Sequence, residues 1–173
     1  MLSVLCALAL TVRADARRGH PPANGTGLAT IEYGKVAPDF AYGSGEGVKR
    51  LSDLHGAPVL IHFWDTWCGP CTDELPLIVR AHETAPKLAV LTFSDEAPGV
   101  AREYLKKEGI DLPVYEDADH KVFRLYSVHA IPVSVFLRAD GTVEHVSVGE
   151  MDWPEISGAL SGLDASLTLR PSQ

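Results

Sequence analysis

The chain has 173 residues, 46% of them apolar and 22% charged, enough for one globular domain with a real core but short for two. Its 15 lysines and arginines stand against 23 acids, a net charge of −8, which argues against a nucleic-acid binder working through a broad basic face. No run of 18 apolar residues offers a bilayer span, and three cysteines are too few for a disulfide-stapled scaffold.

Leu2 to Val12 is an uncharged, almost unbroken apolar run, too short to span a bilayer but suited to the core of a secretory signal. Ala14-Asp15-Ala16 puts small residues at both positions a signal peptidase reads. Residues 1–16 are therefore predicted to be a signal peptide, and the protein periplasmic or otherwise exported. Only the Met1 amino group supplies positive charge ahead of the run; a chain extending further upstream would allow membrane tethering instead. Cleavage after Ala16 removes Arg13, Asp15 and Cys6 together, leaving Cys68 and Cys71 as the cysteines. Residues 17–34, rich in Arg, Gly, Pro and Asn, read as a flexible linker. Residues 35–163 read as the folded domain and 164–173 as a loose tail.

Within the domain, Val36–Tyr42 and Val48–Leu51 are predicted as short strands of a hairpin around Gly43-Ser44-Gly45-Glu46-Gly47. A phosphate loop there would need a buried strand before it, a helix after it and a Lys-Ser/Thr pair, and that context is missing. Pro58–Trp64 is nearly continuous apolar sequence, the pattern of a strand buried on both faces. Gly69–Thr84 follows as a helix with Leu75, Ile78, Val79 and His82 on one stripe, and Pro76 is expected to kink it. Leu88–Phe93 is a second buried strand, and Pro98–Glu108 a helix stopped by Gly109. Leu112–Tyr115 is briefly extended, and Asp119 is expected to cap a short helix running to Tyr126. Glu116-Asp117-Ala118-Asp119 lacks the glycine and closing glutamate of a calcium loop, so it reads as a solvated helix start. Val133–Leu137 and Thr142–Val148 form a hairpin across Asp140-Gly141, and Pro154–Leu163 closes the domain as a helix. Early strand–helix–strand order and a late antiparallel hairpin predict an α/β fold with a mixed sheet.

The chemistry concentrates in Trp64-Asp65-Thr66-Trp67-Cys68-Gly69-Pro70-Cys71. Two cysteines three apart at a helix start can close a small-ring disulfide and reopen it. Cys68, at the helix N-terminus, feels unpaired N–H groups and the positive end of the dipole, which favour its thiolate. Cys71 lies one turn deeper and should be shielded, which suits a resolving thiol. Pro70 fits a first helical turn, where its missing N–H has no partner to lose. Zinc would need two further ligands at similar spacing, and no second C-x-x-C exists. Thr72 after Cys71 excludes a c-type haem motif.

Cys68-Gly69-Pro70-Cys71 after a buried strand, with Ile131-Pro132 before a late one, resembles the thioredoxin fold. More narrowly, residues 35–163 resemble the TlpA/ResA-like thiol–disulfide oxidoreductases. The further matching elements are Ala37-Pro38-Asp39-Phe40, Leu51-Ser52-Asp53-Leu54, Phe63-Trp64-Asp65-Thr66-Trp67, Glu74-Leu75-Pro76, Tyr126-Ser127-Val128, and Phe136-Leu137 with Asp140-Gly141. The resemblance implies a central mixed β-sheet flanked by helices, with an N-terminal β-hairpin extension and a helix–strand insertion. It also implies a cis Ile131–Pro132 bond facing the disulfide, with Ile131 backbone pairing with the substrate chain.

In that family a partly buried glutamate at the position of Glu74 influences cysteine acidity; a desolvated carboxyl there would relay the Cys71 proton. His62 stands where thioredoxin carries a buried aspartate and is read either as a proton acceptor behind Cys71 or as a hydrogen-bonded core residue. His129, three before Pro132, is read either as a thiolate-stabilising imidazole or as a solvent-facing loop residue. Trp67 is expected to line the docking surface with Gly69 and Pro70, and Trp64 to pack beneath it. No metal and no cofactor beyond the disulfide are expected. The expected partners are protein thiols and disulfides, such as apocytochrome c or a copper-centre assembly protein, with electrons from a membrane-embedded donor; a monomer is expected. The Gly-Pro dipeptide matches thioredoxin, a reductant. A disulfide oxidase or isomerase, a copper-binding chaperone and a non-catalytic interaction module remain as alternatives. A peroxidase is disfavoured because Pro-x-x-x-Thr-x-x-Cys is absent.

Overall fold

A computed structural model describes residues 31–163; the predicted signal peptide, the C-terminal tail and most of the linker lie outside them. Five strands form the central sheet: β3 (Val59–Phe63), β4 (Ala89–Ser94), β5 (Val114–Glu116), β6 (Val133–Leu137) and β7 (Val143–Val148), in the order β5-β4-β3-β6-β7. β3 pairs in parallel with β4 and antiparallel with β6, with Phe63 opposite both Phe93 and Val133. The sheet is therefore mixed, as the early and late patterning required. Because β6 runs against β3, its first residues meet the last residues of β3 and β4 at one edge.

β3 is buried along its whole length, and its side chains alternate between two core layers. Leu60 and Trp64 join Cys71, Leu75, Ile78, Leu105, Ile156 and Leu160 beneath the helices α1 (Gly69–Thr84), α2 (Val100–Glu108) and α4 (Trp153–Leu163). Val59, Ile61 and Phe63 face the opposite layer, closed by Ile31, Ala37, Phe40, Tyr42 and Leu51 of the N-terminal segment and by Val122 and Phe123 of α3 (Lys121–Leu125). Each large apolar side chain withdrawn from water in this way contributes roughly 1.5–3 kcal/mol. Tyr126 fastens the N-terminal segment, its hydroxyl donating to the Pro38 carbonyl at 2.9 Å.

Several local expectations shift. The N-terminal hairpin is present but shorter: β1 (Ala41–Tyr42) pairs with β2 (Lys49–Arg50), and Val36 makes only an isolated bridge to Thr142. Packing begins at Ile31, inside the expected linker, because Gly34 N–H bonds the Val143 carbonyl at 2.8 Å and carries the chain onto β7. The buried stripe of α1 runs through Cys71, Glu74, Leu75, Ile78 and Ala81. His82 is exposed, one position past that stripe. α1 continues unbroken across Pro76, whose ring faces solvent.

The start of α3 corrects the capping expectation. Asp117, not Asp119, accepts the backbone N–H groups of Lys121, Val122 and Phe123, each at 2.9 Å. His120 turns the chain with a φ of 53° and so brings Asp117 over the helix end. Asp119 instead pairs with Lys121 at the surface. Gly109 ends α2 at a φ of 66°, as a helix-terminating glycine should.

Candidate active site

The chain leaves β3 through a turn in which Cys68 N–H bonds the Asp65 carbonyl at 3.3 Å. Cys68 then caps α1, its Sγ accepting Cys71 N–H at 3.3 Å. The two sulfurs are bonded at 2.03 Å with Cα atoms 5.2 Å apart. Cys71 is wholly buried, whereas Cys68 keeps 7% exposure at the rim. This places the attackable sulfur beside the unpaired N–H groups of the first helical turn, where negative charge is stabilised.

Gly69 and Pro70 are exposed, and Trp67 is 73% exposed beside them. Trp64 is fully buried and packs against Tyr104 of α2, with ring centroids 5.9 Å apart. Across from Cys68, Ile131–Pro132 is a cis peptide, and the Ile131 carbonyl lies 3.8 Å from Cys68 Sγ. Ile131 precedes β6 and its strand pairing, which begins at Val133. Cys68, Trp67, His129 and Ile131 share a groove of about 360 Å³, and His129 is exposed at its edge.

Beneath the disulfide the core is polar in an unusual way. Glu74, one turn after Cys71, is fully buried and neither carboxyl oxygen has a hydrogen-bond partner among the described residues. Burial pushes its pKa up to about 8; nearby Glu150 and Glu155 add to the rise, and the Met151 amide, close but outside hydrogen-bonding geometry, opposes it. His62 lies on the same face of β3 as Leu60 and Trp64. It is fully buried, with Nδ1 2.9 Å from Ser134 Oγ and Nε2 unpartnered. Burial holds its pKa down to about 3, so the imidazole is neutral. His62 thus belongs to the buried core and does not line the groove.

A carboxylate cluster at the same edge is a feature that motif reading passed over. Asp65 is 1% exposed; its Oδ1 accepts the Ser94 hydroxyl at 2.8 Å and Asp95 N–H at 3.3 Å. Glu96 accepts Thr66 N–H at 2.8 Å and the Thr66 hydroxyl at 2.7 Å. Burial, with repulsion from Asp95 and Glu96, pushes Asp65 up to about 6 against the Ser94 hydrogen bond. Its position three before Cys68 is the only sequence signal. The partners come from the end of β4, about 30 residues later.

A cysteine pair divided between rim and core, at a helix N-terminus and facing a cis proline on a mixed sheet, defines a thioredoxin-fold thiol–disulfide oxidoreductase. The chain belongs to the AhpC/TSA family, whose model matches residues 33–146. It is 32% identical over 135 residues to the thiol-disulfide oxidoreductase ResA of Bacillus anthracis, covering 75% of this chain and 78% of that one. ResA of Bacillus subtilis (strain 168) is 29% identical over 155 residues, covering 87% and 82%. Among solved structures, a secreted Mycobacterium tuberculosis disulfide oxidoreductase homologous to E. coli DsbE superposes with a TM-score of 0.62 at 26% identity, covering 72% of this chain and 96% of that one. These relatives bear out the family read from the motifs, and with it thiol–disulfide exchange as the activity.

Proposed function

We propose that the protein is an exported reductant of protein disulfides. The observation that carries this reading is the split of the pair, with Cys68 at the rim on the helix N-terminus and Cys71 sealed beneath it. The Cys68 thiolate attacks one sulfur of a substrate disulfide, forming a Cys68–substrate bond and releasing the other substrate sulfur as thiolate. Deprotonated Cys71 then attacks Cys68 Sγ, closing the internal disulfide and expelling the second substrate sulfur; two electrons pass to the substrate. Ile131 and Pro132 hold the substrate chain, Trp67, Gly69 and Pro70 form the docking rim, and His129 stabilises the Cys68 thiolate from the groove's edge.

Glu74, with a pKa of about 8, exchanges its proton with Cys71 near neutral pH, where an acid–base group works best. His62 serves as a hydrogen-bonded core residue and not as a proton acceptor, since burial holds its pKa down to about 3. The working group is the disulfide itself, without a further cofactor, in a monomer recharged by a membrane-embedded donor. Export is supported by the apolar run ahead of Ala16 and by the secreted Mycobacterium relative; no helix among the described residues is long and apolar enough to cross a membrane. Apocytochrome c and copper-centre assembly proteins are the substrate candidates.

The test is the reduction potential of the Cys68–Cys71 pair, measured by equilibration in thiol buffers and counting labelled thiols. A value below about −220 mV is expected. One near about −120 mV, in the range of a strong oxidant, overturns the direction and makes substrate oxidation the working activity.

A further inference from the structure

The groove beside the disulfide has a mixed lining: Phe123, Val128 and Ile131 are apolar, Asp65 and Asp95 are acidic, and there is neither lysine nor arginine. The acidic part of the lining is built rather than incidental. Asp65 is buried and fixed by Ser94 and the Asp95 amide, and Glu96 is fixed behind it by two Thr66 donors. Two imidazoles are near: His120 Nδ1 lies 2.8 Å from Asp95, and His129 is an exposed lining residue. Among the described residues no lysine or arginine forms an ion pair with Asp65, Asp95 or Glu96. Like charges held this close repel, and an incoming cation relieves that repulsion.

We infer that this groove takes a polypeptide segment carrying a lysine or arginine next to its redox cysteine, the cation seated on Asp65 and Asp95 while its sulfur meets Cys68. The apolar lining residues cover the aliphatic stem of such a side chain and the carboxylates receive its head, a combination that suits long cationic residues. The inference rests on the thiol–disulfide reading above and names the substrate class of the same site.

The experiment uses the full chain in its reduced form and three peptides with one internal disulfide, identical except for Lys, Gln or Glu beside the first cysteine. Hydroxyethyl disulfide serves as a neutral substrate too small to span the groove. Second-order rate constants are read by acid quenching and separation of products. The expected order is Lys, then Gln, then Glu, with about tenfold between the extremes in low salt and a clear narrowing as salt screens the groove. Asp65→Asn and Asp95→Asn are each expected to reduce the Lys-to-Glu ratio about threefold or more. The ratio cancels any common change in Cys68 reactivity, and the wild-type salt series stands even if a variant folds poorly. Equal rates for Lys and Glu peptides alongside good reduction of hydroxyethyl disulfide overturn the groove inference alone, as does a Lys preference that survives both variants. Failure to reduce any of the four substrates overturns the reductase reading and the inference with it.

Discussion

Glu74 and His62 are both fully buried and make opposite demands on pH. Glu74 binds its proton more tightly in the fold, with a pKa of about 8 against 4.5 for the free side chain. Folding therefore takes up a proton between these values, and stability falls as pH rises through that window. His62 refuses its proton in the fold, with a pKa of about 3 against 6.5, so stability rises with pH from about 3 to 6.5. Between about 4.5 and 6.5 the two slopes cancel, and above that the Glu74 slope stands alone. In urea unfolding of the oxidised protein, Glu74→Gln should abolish the loss above about pH 6.5. His62→Gln should let the decline begin near about pH 4.5. Each pH unit over which one slope acts is worth at most about 1.4 kcal/mol. Variant-minus-wild-type profiles parallel to the pH axis would refute the buried titrations.

At the scale of elements, α3 depends on one side chain. Asp117 holds three of its first N–H groups at 2.9 Å from a buried position. Asp117→Ala should cost about 2–4 kcal/mol of unfolding free energy. Asp119→Ala should leave the midpoint unchanged, since its pair with Lys121 is exposed on both sides. Equal effects from the two substitutions would contradict this cap. Sequence placed the helix correctly but chose the wrong aspartate, because Asp117 lies further ahead than an ordinary cap and reaches the helix end only through the turn with positive φ at His120. β3, β4 and the late hairpin were legible because each carries its period within a few residues. The length of β1 was not, since Val36 turns away from the hairpin to bridge the distant Thr142 and only Ala41 and Tyr42 pair with β2. In the site, Cys68 and Cys71 follow from their spacing at a helix start, whereas the burial of Glu74 was expected only from the family resemblance. Asp65 needed Ser94 and Asp95 to be brought to it by the β3–β4 pairing, which no local pattern announces.

Across the whole molecule, the central sheet carries the cysteines on one face and the N-terminal segment on the other. Phe40 is the keystone of the second face, with ring centroids 5.4 Å from Phe93 and 5.5 Å from Tyr126. Phe40→Ala should cost about 3–5 kcal/mol of stability, read by denaturant unfolding. The reduction potential of the pair should remain at its wild-type value, because the lost contacts lie across the sheet from Cys71. A shift in potential matching the loss in stability would show that the two faces are energetically one.

That partition bears on how such a chain can change. Substitutions beneath Ile31, Phe40 and Tyr42 bear on how long the protein survives heat or proteases, while those around Cys71 touch stability and the disulfide together. A lineage meeting a harsher environment can therefore remodel one side of the sheet without retuning the other. An engineer seeking a hardier redox catalyst would begin at the same place, far from the sulfur atoms.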